Sequence, residues 1–127
     1  MKEFAQMKKD RDILVRIIVK KVPMHTVYLS QRNSATDFPV LTCAVGLEEK
    51  KVRIVIGARP QKAMLIEKEL ESSFKFKVEE VEALAEEVQK LVPTGSNMRA
   101  SAEYRSHLVK VLTKRALVQV EGDANEN

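Results

Sequence analysis

Residues 38–57 read FPVLTCAVGLEEKKVRIVIG, and this stretch decides the fold. Its first half, residues 38–47, is apolar on both faces, which is typical of a central strand covered on both sides. A short polar turn follows, and residues 52–56 then resume an alternating, β-branched pattern. The close spacing of the two strands predicts an antiparallel hairpin that ends at Gly57.

Two further strands are predicted before this hairpin. Residues 12–20 are rich in β-branched side chains, which is typical of a strand. One face of it would carry Ile13, Val15, Ile17 and Val19. Pro23 ends this strand because proline cannot donate to a β-ladder. Residues 25–31 follow as a short second strand, and the polar residues 32–37 form the loop into the hairpin.

Three helices are predicted after the hairpin. Apolar residues recur at helical spacing over residues 60–70, and Pro60 suits a helix start. Residues 78–92 alternate apolar residues and glutamates at spacings of three and four, with acids in the first turns, where the helix dipole favours them. A last helix covers residues 100–118, with Ser101 as its cap. Its buried stripe is expected to hold Tyr104, Leu108, Val111 and Leu112.

Strands followed by helices indicate an α+β domain rather than a doubly wound sheet. We therefore expect a small, mostly antiparallel sheet of three to four strands followed by three helices. A chain of 127 residues suits one such domain, over residues 1–120. Residues 121–127 carry three acids and no base, and are predicted to be a disordered acidic tail.

Several classes of function are excluded by what the sequence lacks. Cys43 is the only cysteine, so it forms no internal disulfide and holds no iron–sulfur cluster alone. His25 and His107 are too far apart to suggest a metal site. Signatures of dinucleotide binding, phosphate loops and nucleophile elbows are missing. We expect no catalytic residue, no metal ligand, no membrane span and a cytoplasmic address.

A net charge of +4 leaves two readings of the surface open. A lysine-rich surface is most often simply solvated, but it also suits a free-standing basic module that binds RNA or a protein partner. Nucleic-acid binding normally adds aromatic stacking residues, and here Phe and Tyr total six, with no Trp. Nucleic acid is therefore the less favoured partner, and a homo-oligomer is left open.

Two polar stretches are less ordinary. Arg32 and Asp37 bracket a tight loop before a buried strand, either as an ion pair that shapes the loop or with Arg32 facing an anion such as a flavin pyrophosphate. Residues 99–105, RASAEYR, place arginines, a glutamate and a tyrosine at a helix start. Arg99 and Glu103 are four residues apart and are expected to pair along one face.

These stretches carry a family resemblance. The RASAEYR run at residues 99–105 closely resembles the closing segment of the flavoprotein subunits of xanthine dehydrogenase and carbon monoxide dehydrogenase. QRNSATDFPV at residues 31–40 is similar to that family's G-R-R-x-x-x-D-I-A-V stretch, and RIVIGARP at residues 53–60 to its strand and glycine turn. The matches keep the family's order over residues 11–118. The chain thus resembles the C-terminal domain of the FAD-binding subunit of molybdenum hydroxylases.

The resemblance implies an oxidoreductase in which electrons pass from a molybdenum cofactor through iron–sulfur clusters to FAD. In such flavoprotein subunits, two N-terminal portions bind FAD and one C-terminal α+β domain packs against them. This chain would be that accessory domain, with FAD in the intact subunit, none bound by this chain alone, and no catalysis by itself. The implied partners are an FAD-binding domain or subunit, with the iron–sulfur and molybdopterin subunits of the same complex.

The resemblance also assigns roles to residues. It places Arg32 and Asp37 at a flavin-facing edge. It gives structural or interdomain roles to Gly57, Arg99, Glu103, Tyr104 and Arg105. Two departures from the family pattern concern basic residues: Leu29 stands where a lysine is frequent, and Asn33 where the second arginine of the R-R pair stands. Both departures remove positive charge beside the expected flavin.

Overall fold

The computed structural model describes residues 13–70 and 75–125. Four strands form one antiparallel sheet in the order β1-β2-β3-β4. The strands are β1 (His25–Gln31), β2 (Leu41–Glu48), β3 (Lys51–Gly57) and β4 (Met64–Glu69). Two helices follow in the described part of the chain, α1 (Val78–Leu91) and α2 (Ala102–Asn125). The α+β class and the antiparallel sheet are confirmed, with two helices where three were predicted.

The predicted hairpin is confirmed as β2 and β3, which pair from Glu48 and Lys51 outward. Alternate side chains of both strands are fully buried and form the core with α1 and α2. They are Cys43, Val45, Leu47, Val52, Ile54 and Ile56. The opposite side of β2, with Thr42 and Ala44, is only partly buried. The prediction that both faces of this strand are covered is therefore wrong for the described elements.

The first predicted helix is wrong, because residues 64–69 form the edge strand β4. Its alternation decides the outcome: Met64 lies opposite Ile56 and Ile66 opposite Ile54, so these two side chains pack on the core. Apolar residues at 63, 66 and 70 fit a helical spacing, whereas Met64 and Ile66 fit the alternation of a strand, and free pairing positions along β3 select the strand.

The first predicted strand is also wrong as a part of this sheet. Residues 13–20 have no regular secondary structure, and all their side chains are exposed. The apolar face proposed for this strand is open, since Ile13 is 86% exposed and Val15 87%. Residue 12 lies outside the described residues.

The two later helices are confirmed with changed limits. In α1 the Glu80 carboxylate accepts from the Lys77 main-chain N–H at 2.8 Å, which caps its first turn. In α2 the Tyr104 N–H donates to the Ser101 hydroxyl at 3.2 Å, so Ser101 is the cap. This helix continues to Asn125, so residues 121–125 are helical rather than disordered, while residues 126–127 lie outside the described part.

The contact between α1 and α2 combines an apolar layer with an exposed line of ion pairs. Lys110 lies 2.8 Å from a Glu82 oxygen and 2.9 Å from a Glu86 oxygen, and Lys114 donates to Glu82 at 2.5 Å. The two lysines, Lys110 first, lower the pKa of Glu82 to about 2. Exposed pairs of this kind contribute modestly, and the apolar layer carries most of the contact between the helices.

Candidate functional site

One end of the molecule gathers three connections: residues 32–40 between β1 and β2, residues 58–63 between β3 and β4, and residues 92–101 between the helices. We call this region the loop end. Four arginines hold it together, and each donates to oxygen atoms of these connections or of residues beside them. They are Arg32, Arg59, Arg99 and Arg105.

Arg105 is the centre of the loop end. Its side chain is fully buried, with 1% of the residue exposed. The guanidinium donates to the carbonyl oxygens of Val40 at 2.9 Å, Gly95 at 2.7 Å and Ala100 at 2.6 Å, and to Oδ1 of Asn97 at 2.6 Å. Burial lowers the pKa of Arg105, because the charged form is partly desolvated. The guanidinium is planar and has five donors, and it therefore joins the residue before β2 to the connection between α1 and α2.

Asp37 and Arg99 form the outer part of the loop end. Arg99 Nε donates to Asp37 Oδ1 at 3.1 Å, and the Phe38 N–H donates to the same carboxylate oxygen at 2.7 Å. These bonds, the one from Arg99 first, lower the pKa of Asp37. The Arg99 guanidinium also lies 5.2 Å from the centroid of the Phe38 ring, within cation–π distance.

Arg32 and Asp37 are brought together, but through the main chain. Arg32 Nη1 donates to the Asp37 carbonyl oxygen at 2.8 Å, and Arg32 Nε lies 3.4 Å from the Ser30 hydroxyl. The predicted ion pair between the two side chains is wrong, because Arg99 is the partner of the carboxylate. Their role in loop geometry is consistent with these bonds, while a flavin-facing role stays a prediction.

The remaining predicted residues have separate surroundings. Arg99 lies before α2 and pairs with Asp37, so the predicted Arg99–Glu103 pair is not formed. Glu103 and Tyr104 are exposed on the first turn of α2, so the prediction that Tyr104 belongs to the buried stripe is wrong. Gly57 is buried at the end of β3 against Thr42.

Val111, also predicted for the buried stripe, is only partly buried. Leu29, where the family pattern has a lysine, packs against the core. Asn33, where the pattern has an arginine, donates from Nδ2 to the Arg99 carbonyl oxygen at 3.1 Å and so links two connections of the loop end.

Arg59 was not predicted to have a role. It is buried and donates to the carbonyl oxygens of Lys62 at 2.8 Å and Pro93 at 2.6 Å. Its own carbonyl oxygen accepts from the Gly95 N–H at 3.1 Å. The signal available in the sequence was an arginine two residues after a strand and directly before a proline, and this pattern is the same for a buried and an exposed arginine.

The hydrogen bonds of the loop end join its connections to one another. In the described part of the chain, every buried side-chain nitrogen and oxygen has a hydrogen-bond partner. The same residues contain no His, Cys, Asp and Glu group that could hold a metal. Burial raises the pKa of the Cys43 thiol to about 11, so it carries no thiolate at neutral pH. None of the described helices is long and apolar enough to cross a membrane.

FAD does not fit the loop end as a self-contained site. A flavin cofactor needs its pyrophosphate held by an anion cradle, and here the arginines already donate to carbonyl and carboxylate oxygens of their own chain. Among the described residues, no buried side-chain donor lacks a hydrogen-bond partner and is thus left for a pyrophosphate.

The fold is that of a small α+β domain whose connections at the loop end are joined by arginines. The sequence model of the CO dehydrogenase flavoprotein C-terminal domain matches residues 26–120. The chain belongs to this family. A comparison with curated proteins found no match.

Solved structures agree on the fold. Quinoline 2-oxidoreductase from Pseudomonas putida 86 superposes with a TM-score of 0.66 at 18% identity, over 81% of this chain and 39% of that chain. Carbon monoxide dehydrogenase from Hydrogenophaga pseudoflava, in a form lacking the Mo-pyranopterin moiety of its cofactor, gives 0.65 at 19% identity, over 77% and 37%. This chain therefore spans well under half the length of each neighbour. No comparison supports the alternative of an RNA-binding module.

Proposed function

We propose that this domain packs against a flavin-binding polypeptide of a molybdenum-containing oxidoreductase and supports its FAD site without taking part in the chemistry. The observation that carries the proposal is the family match over residues 26–120. The loop end supports it, because its buried polar groups are used internally and leave no described site for a substrate. The chain's part would be to hold a rigid surface against the flavin portion.

The loop end is the proposed flavin-facing edge, and its surface suits a protein contact. Phe38 is 74% exposed and Met98 94% exposed, and Arg32 is exposed beside them in the same connections. Exposed apolar side chains next to arginine are the composition of an interface centre. The Asp37 carboxylate holds Arg99 beside Phe38, so the edge is preorganised before it meets a partner.

The test is co-expression with a flavin-binding polypeptide encoded in the same gene neighbourhood, followed by affinity purification. We expect a stoichiometric complex with a flavin absorption spectrum, and a colourless chain when it is produced alone. A second sample carries Phe38→Ser and should lose most of the complex, while Val78→Ser, an exposed apolar residue on α1, should retain it. Failure of the unaltered chain to bind any flavin-containing neighbour would overturn the proposal.

A further inference from the structure

Residues 13–22, which we call the N-terminal segment, expose an unusual number of large apolar side chains. Seven large apolar side chains are exposed within ten residues, and none of these residues has regular secondary structure. They are Ile13, Leu14, Val15, Ile17, Ile18, Val19 and Val22. The segment lies before residue 26, where the family match begins.

The N-terminal segment nevertheless has the sequence of a strand. Odd-numbered positions 13–19 are all β-branched and apolar, while Arg16 and Lys20 interrupt the even-numbered side. This is the pattern of a strand with one face on a hydrophobic core and the other near solvent. Removing apolar side chains from water is favourable, so the exposed state of this segment forgoes a large stabilisation.

The sheet of this chain does not use the segment, although β1 is an edge strand directly after it. The Met24 side chain lies on the face of the sheet away from the helices, where its sulfur would stand 2.7 Å from a Cβ on Gly46 and is 4.0 Å from Arg53 Nη1. The end of the segment is thereby held on that face, and Pro23 removes one ladder donor beside it. No described part of the chain covers the residues before it.

We propose that residues 13–19 form a β-strand that is added to a sheet of the flavin-binding polypeptide. This inference rests on the proposed function. More than half of each solved neighbour chain lies outside the part that matches, and the segment immediately precedes the matched domain, at the junction with any such polypeptide. Val15, Ile17 and Val19 would enter the partner's core, and Arg16 and Lys20 would face outward.

The test compares two substitutions at equally exposed residues. Ile17 in the segment and Val118 on α2 are both 56% exposed. Each is changed to lysine, and the dissociation constant for the co-encoded flavin-binding polypeptide is measured. We expect Ile17→Lys to weaken binding about tenfold or more, since it places a charge in an apolar interface, and Val118→Lys to bind like the unaltered chain. Hydrogen exchange should show protection of amides 13–19 only in the complex.

The outcomes separate this inference from the proposed function. If the unaltered chain does not bind the flavin-binding polypeptide, both fail. If it binds, Ile17→Lys binds equally well and amides 13–19 exchange as fast as in the free chain, only the added strand is overturned. Sedimentation of the chain alone adds a third result: a dimer that Ile17→Lys dissociates would make a second copy the occupant and would also overturn the inference.

Discussion

The loop end and the N-terminal segment use their side chains in opposite ways. At the loop end, a fully buried arginine finds four oxygen acceptors on its own chain. In the segment, seven large apolar side chains are 49–87% exposed. Buried polar groups are normally paired, and contiguous apolar surface normally marks an interaction site. The first region therefore shows what the domain supplies for itself, and the second shows what it needs from a partner.

The largest expected effect on stability comes from Arg105→Met. The substitution removes the buried donor to the Val40 carbonyl oxygen and one donor each to the partly buried carbonyl oxygens of Gly95 and Ala100, and we expect the free energy of unfolding to fall by about 3 kcal/mol. Urea denaturation measures it. Arg115→Met, on the exposed side of the same helix, is the control and should change stability by less than about 0.5 kcal/mol. Equal stability of the Arg105→Met and Arg115→Met variants would show that the buried arginine does not stabilise the loop end.

A smaller loss is expected from Gly57→Ala beside the loop end. A Cβ at this position would stand 2.5 Å from the Thr42 hydroxyl oxygen, so a neighbour must move, at a cost of about 1–2 kcal/mol. Thermal or urea unfolding of the double variant Thr42→Ala/Gly57→Ala should recover most of that loss. No recovery would show that the close approach to Thr42 is not the reason for glycine here.

The ion pairs between the helices should contribute a pH-dependent part of stability. The pKa of Glu82 is about 2 in the folded protein, below its ordinary value of 4.5, so its contribution is present above about pH 4.5 and is lost as the pH falls toward 2. Glu82→Gln should reduce the change of the urea midpoint with pH across this range. Glu49→Gln, an exposed acid in the β2–β3 turn, is the control and should keep the slope of the unaltered chain.

The smallest expected effect on stability comes from Ile17→Lys, and it tests the contrast between the loop end and the N-terminal segment most directly. Ile17→Lys should leave the free energy of unfolding within about 0.5 kcal/mol of the unaltered chain, because the domain makes no use of that side chain. The urea midpoint of the isolated chain measures it. A destabilisation of a few kcal/mol would mean that the segment packs on this domain in solution and is not available to a partner.

Local pattern was sufficient for the centre of the fold and insufficient at its borders. The β2–β3 hairpin follows from two β-branched runs around a polar turn, and its partners are close in sequence. Residues 64–69 satisfied two periods at once, and only the presence of β3 selects a strand. Residues 13–20 have a strand's pattern but lack a partner strand in the described structure. The spacing of apolar residues shows which secondary structure a segment prefers, whereas the strand that it pairs with depends on the tertiary structure.

The sequence indicated which residues gather at the loop end, but it did not indicate which of them bond to one another. Arg32, Asp37, Arg99 and Arg105 were selected because charged residues clustered in two stretches, and the structure does bring these stretches together. Their pairing differs, since Asp37 takes Arg99 over a sequence separation of 62 residues. The burial of Arg59 could not be predicted for the same reason, because its acceptor, the Pro93 carbonyl oxygen, lies 34 residues away in the sequence.

The N-terminal segment also has a consequence for handling the protein. A run of exposed β-branched residues is the kind of sequence that stacks into intermolecular sheets at high concentration. Arg16, Lys20 and Lys21 interrupt or flank that run, and like charges on neighbouring molecules oppose its stacking. Added salt screens this repulsion, so we expect the isolated chain to precipitate more readily as ionic strength rises, and the substitution Ile17→Lys to keep it in solution.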